Sequence, residues 1–355
     1  MGRHARRRHR LQKCMKHRDR APWKTAKRRS VYHACERCQG SGFMRPGLRR
    51  RTIRGYNLTS DKGGEVSSSL IIAYLFLGGA GAGMLFVLSA VSFFSPSRDL
   101  DLDGSGRLQP WGSYARLYGL GYCVSLAICI VAALCLVFDM ARPDAILGLI
   151  FNPNVSVVSI GAYGLGLCIA LNAALAIIWL SHFRPNIMLC RIVSALAIVA
   201  ACVVMSYTGL LLGIIPHAVF WQSPLIVVLF VLSSLSCGIA LVVLAMMAFR
   251  LLAPFWNAAR TVLLVDGVLI GVELIVLTVF IASSQQSAPE AVETLVTGDL
   301  AALFWTGLVA MGLVVPLAME LASRWKVGLD VHPCIPAVLV LIGGLCLRIC
   351  IVFAA

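Results

Sequence analysis

The stretch LIVVLFVLSSLSCGIALVVLAMMAF, Leu225 to Phe249, holds no charged residue and no proline, and its reading decides the fold. Coiled as a helix rising about 1.5 Å per residue, it is long enough to cross the roughly 30 Å hydrocarbon core of a bilayer. No water is available there for backbone N–H and C=O groups, so only a helix or a closed barrel can span. The stretch lacks the strict alternation of a barrel strand, which leaves the helix.

Seven further runs of this kind surround it: Leu70 to Phe94, Ala115 to Phe138, Val157 to Leu180, Ile192 to Gly213, Thr261 to Ala282, Leu300 to Glu320 and Ala337 to Phe353. Composition agrees, since the 355 residues are 59% hydrophobic and 13% charged, against about 25% charged in soluble domains. The reading is an all-α integral membrane protein of eight transmembrane helices over residues 67–355. We divide it into a first four-helix bundle over 67–213 and a second over 214–355. Short polar or proline-containing links such as SHFRPN, FWQSP and DVHPCIP mark the water interfaces.

Lys and Arg set the orientation. The links after spans one, three, five and seven carry Arg98, Arg107, Arg116, Arg184, Arg191, Arg250, Arg260, Arg324 and Lys326, whereas those after spans two, four and six carry only Arg142. Positive residues stay on the cytoplasmic side, so the even-numbered links and both termini are expected outside. The first 66 residues run against that pattern, with 20 of the 31 Lys and Arg residues and four acids. Such an arm has functional readings, as a segment binding nucleic acid or anionic lipid, or as a zinc knuckle in which Cys14, His17, Cys35 and Cys38 space as C-x2-H and C-x2-C. The simpler reading is a disordered extension, or residues upstream of a start such as Met44, because translocating so basic an arm is unfavourable. On that reading nucleic acid is not an expected partner, and membrane lipid is.

Polar side chains inside the spans are costly and mark candidate sites. Asp139 lies at the outer end of span two, Tyr207 in the outer third of span four, Asp266 and Glu273 in span six and Arg348 in span eight. Asp139 with Arg142 also reads as a helix-end cap, and Tyr207 as an aromatic-belt residue. Glu273 stands 13 residues beyond Arg260, roughly 20 Å up the helix, and Arg348 stands 12 beyond Pro336, roughly 18 Å up from the same face. These depths allow the two to meet, either as a buried ion pair or, with Asp266, as a proton path. Gly79 and Gly83 form a small-xxx-small pair that admits another backbone or a flat ring. The cysteines in or beside the spans read as small packed residues. No histidine lies in the middle of a span, which argues against bis-histidine haem. No phosphate loop, dinucleotide turn or Ser-His-Asp arrangement is visible.

Local motifs add a family. YLFLGGAGAG at Tyr74 to Gly83, FDMARPD at Phe138 to Asp144, FNPNVSVVSIGAY at Phe151 to Tyr163, SYTGLLLG at Ser206 to Gly213, DGVLIGVEL from Asp266 and GGLCLRICIVFAA from Gly343 resemble the polysulfide reductase membrane subunit (NrfD/PsrC) family. The resemblance covers nearly everything after Leu70, with one departure: Ala141 stands where the family commonly has glycine. It implies a multi-pass subunit in the cell membrane of a prokaryote, an anchor of an anaerobic respiratory oxidoreductase complex. Such an anchor binds quinone, menaquinone or ubiquinone, without haem. Its implied partners are an iron–sulfur electron-transfer subunit and a molybdopterin catalytic subunit. The implied head-group site holds Tyr207 as hydrogen-bond donor and Asp139 as proton acceptor or orienting group, with Arg142, Gly79 and Gly83. The partner would dock on the second and fourth links, beside Arg142, His217 and Trp221. The competing class is a transporter or ion-translocating subunit without redox function, which intramembrane carboxylates would also serve. Internal repeats and matching broken helices, which that class favours, are not evident.

Reporters fused within the links after spans two, four and six are expected to be exposed outside, and those after the odd-numbered spans inside. Protease or alkylation accessibility in intact cells reads this directly, and an inverted pattern overturns the orientation.

Overall fold

The computed structural model describes residues 61–94, 113–139, 157–180, 187–213, 219–324 and 332–354. The basic extension with Cys14, His17, Cys35 and Cys38, the residue Arg142, and the side chain of Asp139 lie outside the described residues. In chain order the helices are α1 (Asp61–Phe94), α2 (Ser113–Asp139), α3 (Val157–Leu180), α4 (Ile187–Gly213), α5 (Pro224–Ala248), α6 (Trp256–Ser287), the short α7 (Pro289–Val296), α8 (Val315–Arg324) and α9 (Cys334–Phe353). A 3-10 turn at Val219–Gln222 precedes α5, and a π-helical segment, Leu303–Val314, runs straight into α8. Eight stretches are long and apolar enough to cross a membrane, the seventh being the π segment joined to α8.

Several helices outrun the apolar stretches that announce them, α1 starting at Asp61 rather than Leu70. α4 begins at Ile187 rather than Ile192, and α6 runs from Trp256 to Ser287 rather than from Thr261 to Ala282. The reason is that Arg191 and Arg260 end an apolar run without ending a helix. A long cationic side chain lays its stem on the apolar surface and carries its charge to water.

Packing follows two circuits. α1 packs on α2, α2 on α3, α3 on α4 and α4 back on α1; α5 packs on α6 and α9, α9 on the π segment, and α8 on α6. α1 and α4 both lie against α5 and join the circuits. α1 and α5 are therefore the most enclosed spans, while α2, α3 and α6 keep apolar faces outward, with Leu134, Ile177 and Ile275 exposed. In lipid such faces need no cover, because hydrocarbon solvates them.

Glycine sets the closest approaches. A β-carbon on Gly83 would strike the Ser234 backbone, and one on Gly238 would lie 2.6 Å from the Gly83 carbonyl oxygen, so α1 and α5 cross backbone to backbone. Gly312 and Gly343 do the same for the π segment and α9, a β-carbon on Gly312 falling 2.5 Å from the Gly343 Cα. With no hydrophobic force drawing helices together in lipid, such contact supplies the dispersion and dipole attraction that holds them.

The π winding of the seventh span is not visible in its hydropathy. It ends at Val314, just before Pro316. Proline supplies no N–H and crowds the carbonyl four residues back, here Gly312, so the ladder shifts register on its N-terminal side.

Gly83→Ala is expected to lower stability by about 1–3 kcal/mol, the usual range for overpacking. Gly166→Ala, where a β-carbon meets nothing within 4 Å, is expected to be neutral or stabilising. Thermal unfolding of the two variants in detergent tests the contrast.

Candidate functional site

Near the C-terminal end of α4, Tyr207 turns inward, 2% exposed. Its ring fills the place where a β-carbon on Gly161 of α3 would stand, so that glycine is what admits the ring. Tyr74, in the first half of α1, is also 2% exposed. The two phenolic hydroxyls lie within electrostatic reach of one another. Buried hydroxyls are nearly always paired, and here each phenol has the other as its hydrogen-bonding neighbour, a hydroxyl pair enclosed between α1 and α4.

The second polar centre is Arg348 of α9, 0% exposed. Its Nε donates to the Leu75 carbonyl at 3.3 Å, Nη1 to Ser233 Oγ at 2.9 Å and to the Gly344 carbonyl at 2.6 Å, and Nη2 to Ser234 Oγ at 3.0 Å. The guanidinium also lies 5.6 Å from the Phe76 ring centroid and 5.3 Å from that of Phe230. Its N–H groups are thus almost fully spent on α1, α5 and its own helix. Glycine again supplies room, since a β-carbon on Gly79 would lie 3.1 Å from Nη2 and one on Gly344 3.4 Å from Nη1.

Two carboxylates of α6 join this centre. Glu273, 4% exposed, shares Ser233 with Arg348: the hydroxyl accepts from the guanidinium and donates to the carboxylate. Asp266, 2% exposed, accepts from Ser236 Oγ at 2.6 Å. The carboxylates are seven residues apart, two helical turns or about 10 Å along one face, and both reach hydroxyls of the SSLS run in α5. A row of hydroxyls and carboxyls can hold protons and pass them, and equally can satisfy a buried cation.

Other buried polar groups tie helices together. The Asn172 amide of α3 accepts from Ser125 Oγ at 2.7 Å and the Leu126 N–H at 3.1 Å and donates to the Tyr122 carbonyl at 3.0 Å, and Ser125 Oγ also lies 3.0 Å from the Gly81 carbonyl, tying α1, α2 and α3 together. Tyr122 and Ser89 meet at 3.3 Å. At the end of the fold that holds Tyr207, Trp221 Nε1 donates to the Ile351 carbonyl at 2.8 Å, and the Phe220 and Phe280 rings stand 5.0 Å apart. Trp221 is therefore half-buried and fixed on α9. Among the described residues no cluster of three or more His, Cys, Asp or Glu side chains is arranged to hold a metal.

The structure thus brings Glu273 and Arg348 onto one hydroxyl and places Asp266 two turns away. It sets Gly79 and Gly83 against α5, where Ser234 and Gly238 occupy the space a flat ring would take. The packing reading of that pair is the one the geometry favours. α2 ends at Asp139, and Arg142 is not described. Tyr74, Gly161, Ser233, Ser234 and Ser236 escaped the sequence reading. The serines had a signal, three hydroxyls within four residues at the centre of an apolar span; Tyr74 and Gly161 had only their place inside the quoted motifs.

The fold and these polar centres define a multi-pass membrane protein whose buried polar groups lie within the helices. Residues 62–355 match the family model described as "Polysulphide reductase, NrfD", and the chain belongs to that family. It is 26% identical over 317 residues to "Protein NrfD" of Escherichia coli (strain K12), an alignment that covers 80% of this chain and 93% of that protein.

Arg348→Leu is expected to destabilise the protein by about 3–5 kcal/mol, the usual cost of breaking a buried charge pair on one side. Glu273→Leu added to that variant is expected to cost clearly less than in the wild type, because its positive partner is already gone. A double-mutant cycle by unfolding in detergent measures the coupling; additive effects refute it.

Proposed function

We propose that this chain is the quinone-binding membrane subunit of a respiratory oxidoreductase complex, exchanging electrons between the membrane quinone pool and an iron–sulfur partner. The observation that carries this reading is the phenolic hydroxyl of Tyr207, enclosed between α3 and α4 with only the Tyr74 hydroxyl in reach. A buried O–H of this kind suits the oxygen of a flat, uncharged head group. Menaquinone and ubiquinone both present one. When oxidised, the quinol form supplies two electrons and two protons and leaves the quinone.

The residues divide the work by position. Tyr207 donates to the head-group oxygen and holds the ring in register with the end of the bundle. Asp139, which closes α2, takes a proton or orients the group that does. The iron–sulfur subunit docks on the second and fourth links and receives the electrons, and a molybdopterin catalytic subunit lies beyond it. Asp266, Glu273, Ser233 and Ser236 offer proton-holding groups between this end and the opposite face, with Arg348 keeping a positive field among them. The transporter reading draws no matching support: the π segment interrupts the third span of the second circuit, whereas α3, its counterpart in the first, is α-helical from Val157 to Leu180.

Tyr207→Phe and Asp139→Asn both preserve shape. A hydrogen bond to a developing negative oxygen is worth about 1.5–3 kcal/mol, so Tyr207→Phe is expected to slow quinol oxidation roughly tenfold to a hundredfold. Asp139→Asn is expected to lower kcat more than it raises KM if the carboxylate takes a proton. Both rates are measured with the partner subunits present and assembly checked by co-purification. Wild-type rates in both variants remove the site from this end of the fold.

A further inference from the structure

α1 and α6 both pack on α5 but scarcely meet one another. The space left between them is a groove of about 490 Å³, with Phe86 and Phe94 of α1 on one wall, Thr261, Val265 and Leu269 of α6 on the other and Ile239 of α5 between. Its size falls in the roughly 300–1,000 Å³ range of ligand sites. The groove follows α6 from Ala258 to Leu269, a length of roughly 16 Å, or about half of the roughly 30 Å hydrocarbon core. It is thus as deep as one leaflet. On α1 it begins at Phe86, roughly 18 Å along the helix from Tyr74, and no described residue of α3 or α4 lines it. A ring held at Tyr207 therefore lies away from it.

The mouth of the groove has the marks of a water interface. Trp256, in the first turn of α6, is 49% exposed, the place an amphipathic ring takes at head-group level. The link from Phe249 to Arg260 carries Arg250 and Arg260, both exposed, and no acid. Arg250 stands where the chain leaves α5, with φ at 57°. Its N–H donates to the Met247 carbonyl at 3.0 Å and the Leu251 N–H to the Met246 carbonyl at 2.7 Å, the double bond pattern of a helix end whose left-handed residue is usually glycine. Arginine there strains the backbone. A cation suits the negative end of a helix, yet strain retained at an exposed residue points to a use for the side chain beyond the turn itself.

We propose that this groove holds an acyl chain of a resident anionic phospholipid whose phosphate is met by Arg250 and Arg260. A hydrocarbon chain fits the apolar walls and the leaflet depth, and the phosphate supplies the negative charge that the two arginines lack in their own link. A zwitterionic lipid offers the same chain without the net charge. The site is independent of the quinone reading.

The test takes the full-length protein in detergent, stripped of lipid, and adds dioleoyl phosphatidylglycerol or dioleoyl phosphatidylcholine. Native mass spectrometry reads bound lipid, and thermal unfolding reads stability. The wild type is expected to hold one phosphatidylglycerol about tenfold to thirtyfold more tightly than phosphatidylcholine, and Arg260→Gln and Arg250→Gly are each expected to cut that preference about fivefold. Arg250→Gly is also expected to raise the lipid-free unfolding temperature, because glycine relieves the turn, so binding and stability move in opposite directions. Val265→Trp, at a position 51% exposed, is expected to fill the groove and abolish the tightly held lipid. Should it fail to insert, Ala90→Phe fills the same groove from α1. Equal affinity for the two lipids, unchanged in both arginine variants, overturns the head-group site. Retention of the tight lipid in the groove-filled variant overturns the groove as its seat. Loss of co-purified quinone in place of phospholipid in that variant makes an isoprenoid tail the occupant and overturns the proposal.

Discussion

Within a bilayer every buried polar group must find its partner inside the protein, and the enclosure of Arg348 is the strongest expression of that constraint here. A guanidinium with no access to solvent would cost many kcal/mol alone. It is tolerated because carbonyls of α1 and α9 and hydroxyls of α5 receive its N–H groups. One side chain thereby specifies how three helices sit on one another, including the rotation of α1.

Close approach is the other half of the same arrangement. The hydroxyls of Ser233 and Ser234 reach the guanidinium only because α1 and α5 cross at Gly83 and Gly238 with their backbones touching. Larger residues there would part the helices and leave the cation short of acceptors. Packing by glycine and satisfaction by serine are in this sense one device, and the carboxylates of α6 extend it by sharing the same row of hydroxyls.

The phenols differ from this pattern. The amide of Asn172 and the hydroxyl of Ser125 are fully engaged, as is the indole of Trp221, so the fold is able to pair its polar groups where pairing serves structure. Tyr74 and Tyr207 are engaged only with one another, and the buried Trp179 indole N–H has no partner among the described residues. The adjacent residues Tyr74 and Leu75 set this pair of phenols beside the arginine centre.

The eight spans were legible in the sequence by itself, because the hydrocarbon thickness and the demand for internal backbone hydrogen bonds act on each run independently. Leu225 to Phe249 needs no neighbour to be read as a helix. The cost of an intramembrane charge is likewise local, so Asp266, Glu273 and Arg348 stood out in advance. Tertiary structure alone decided what those groups touch. Depth arithmetic put Glu273 and Arg348 at one level, but which face each helix turns depends on the packing of α5 between them, and Ser233 became the shared partner. The same holds for Gly79 and Gly83, whose sequence pattern served a ring or a helix equally until α5 filled the space. Tyr74 was the least legible residue, since nothing in a tyrosine near the start of a span reveals that its hydroxyl ends beside another one, brought there from a helix more than a hundred residues away.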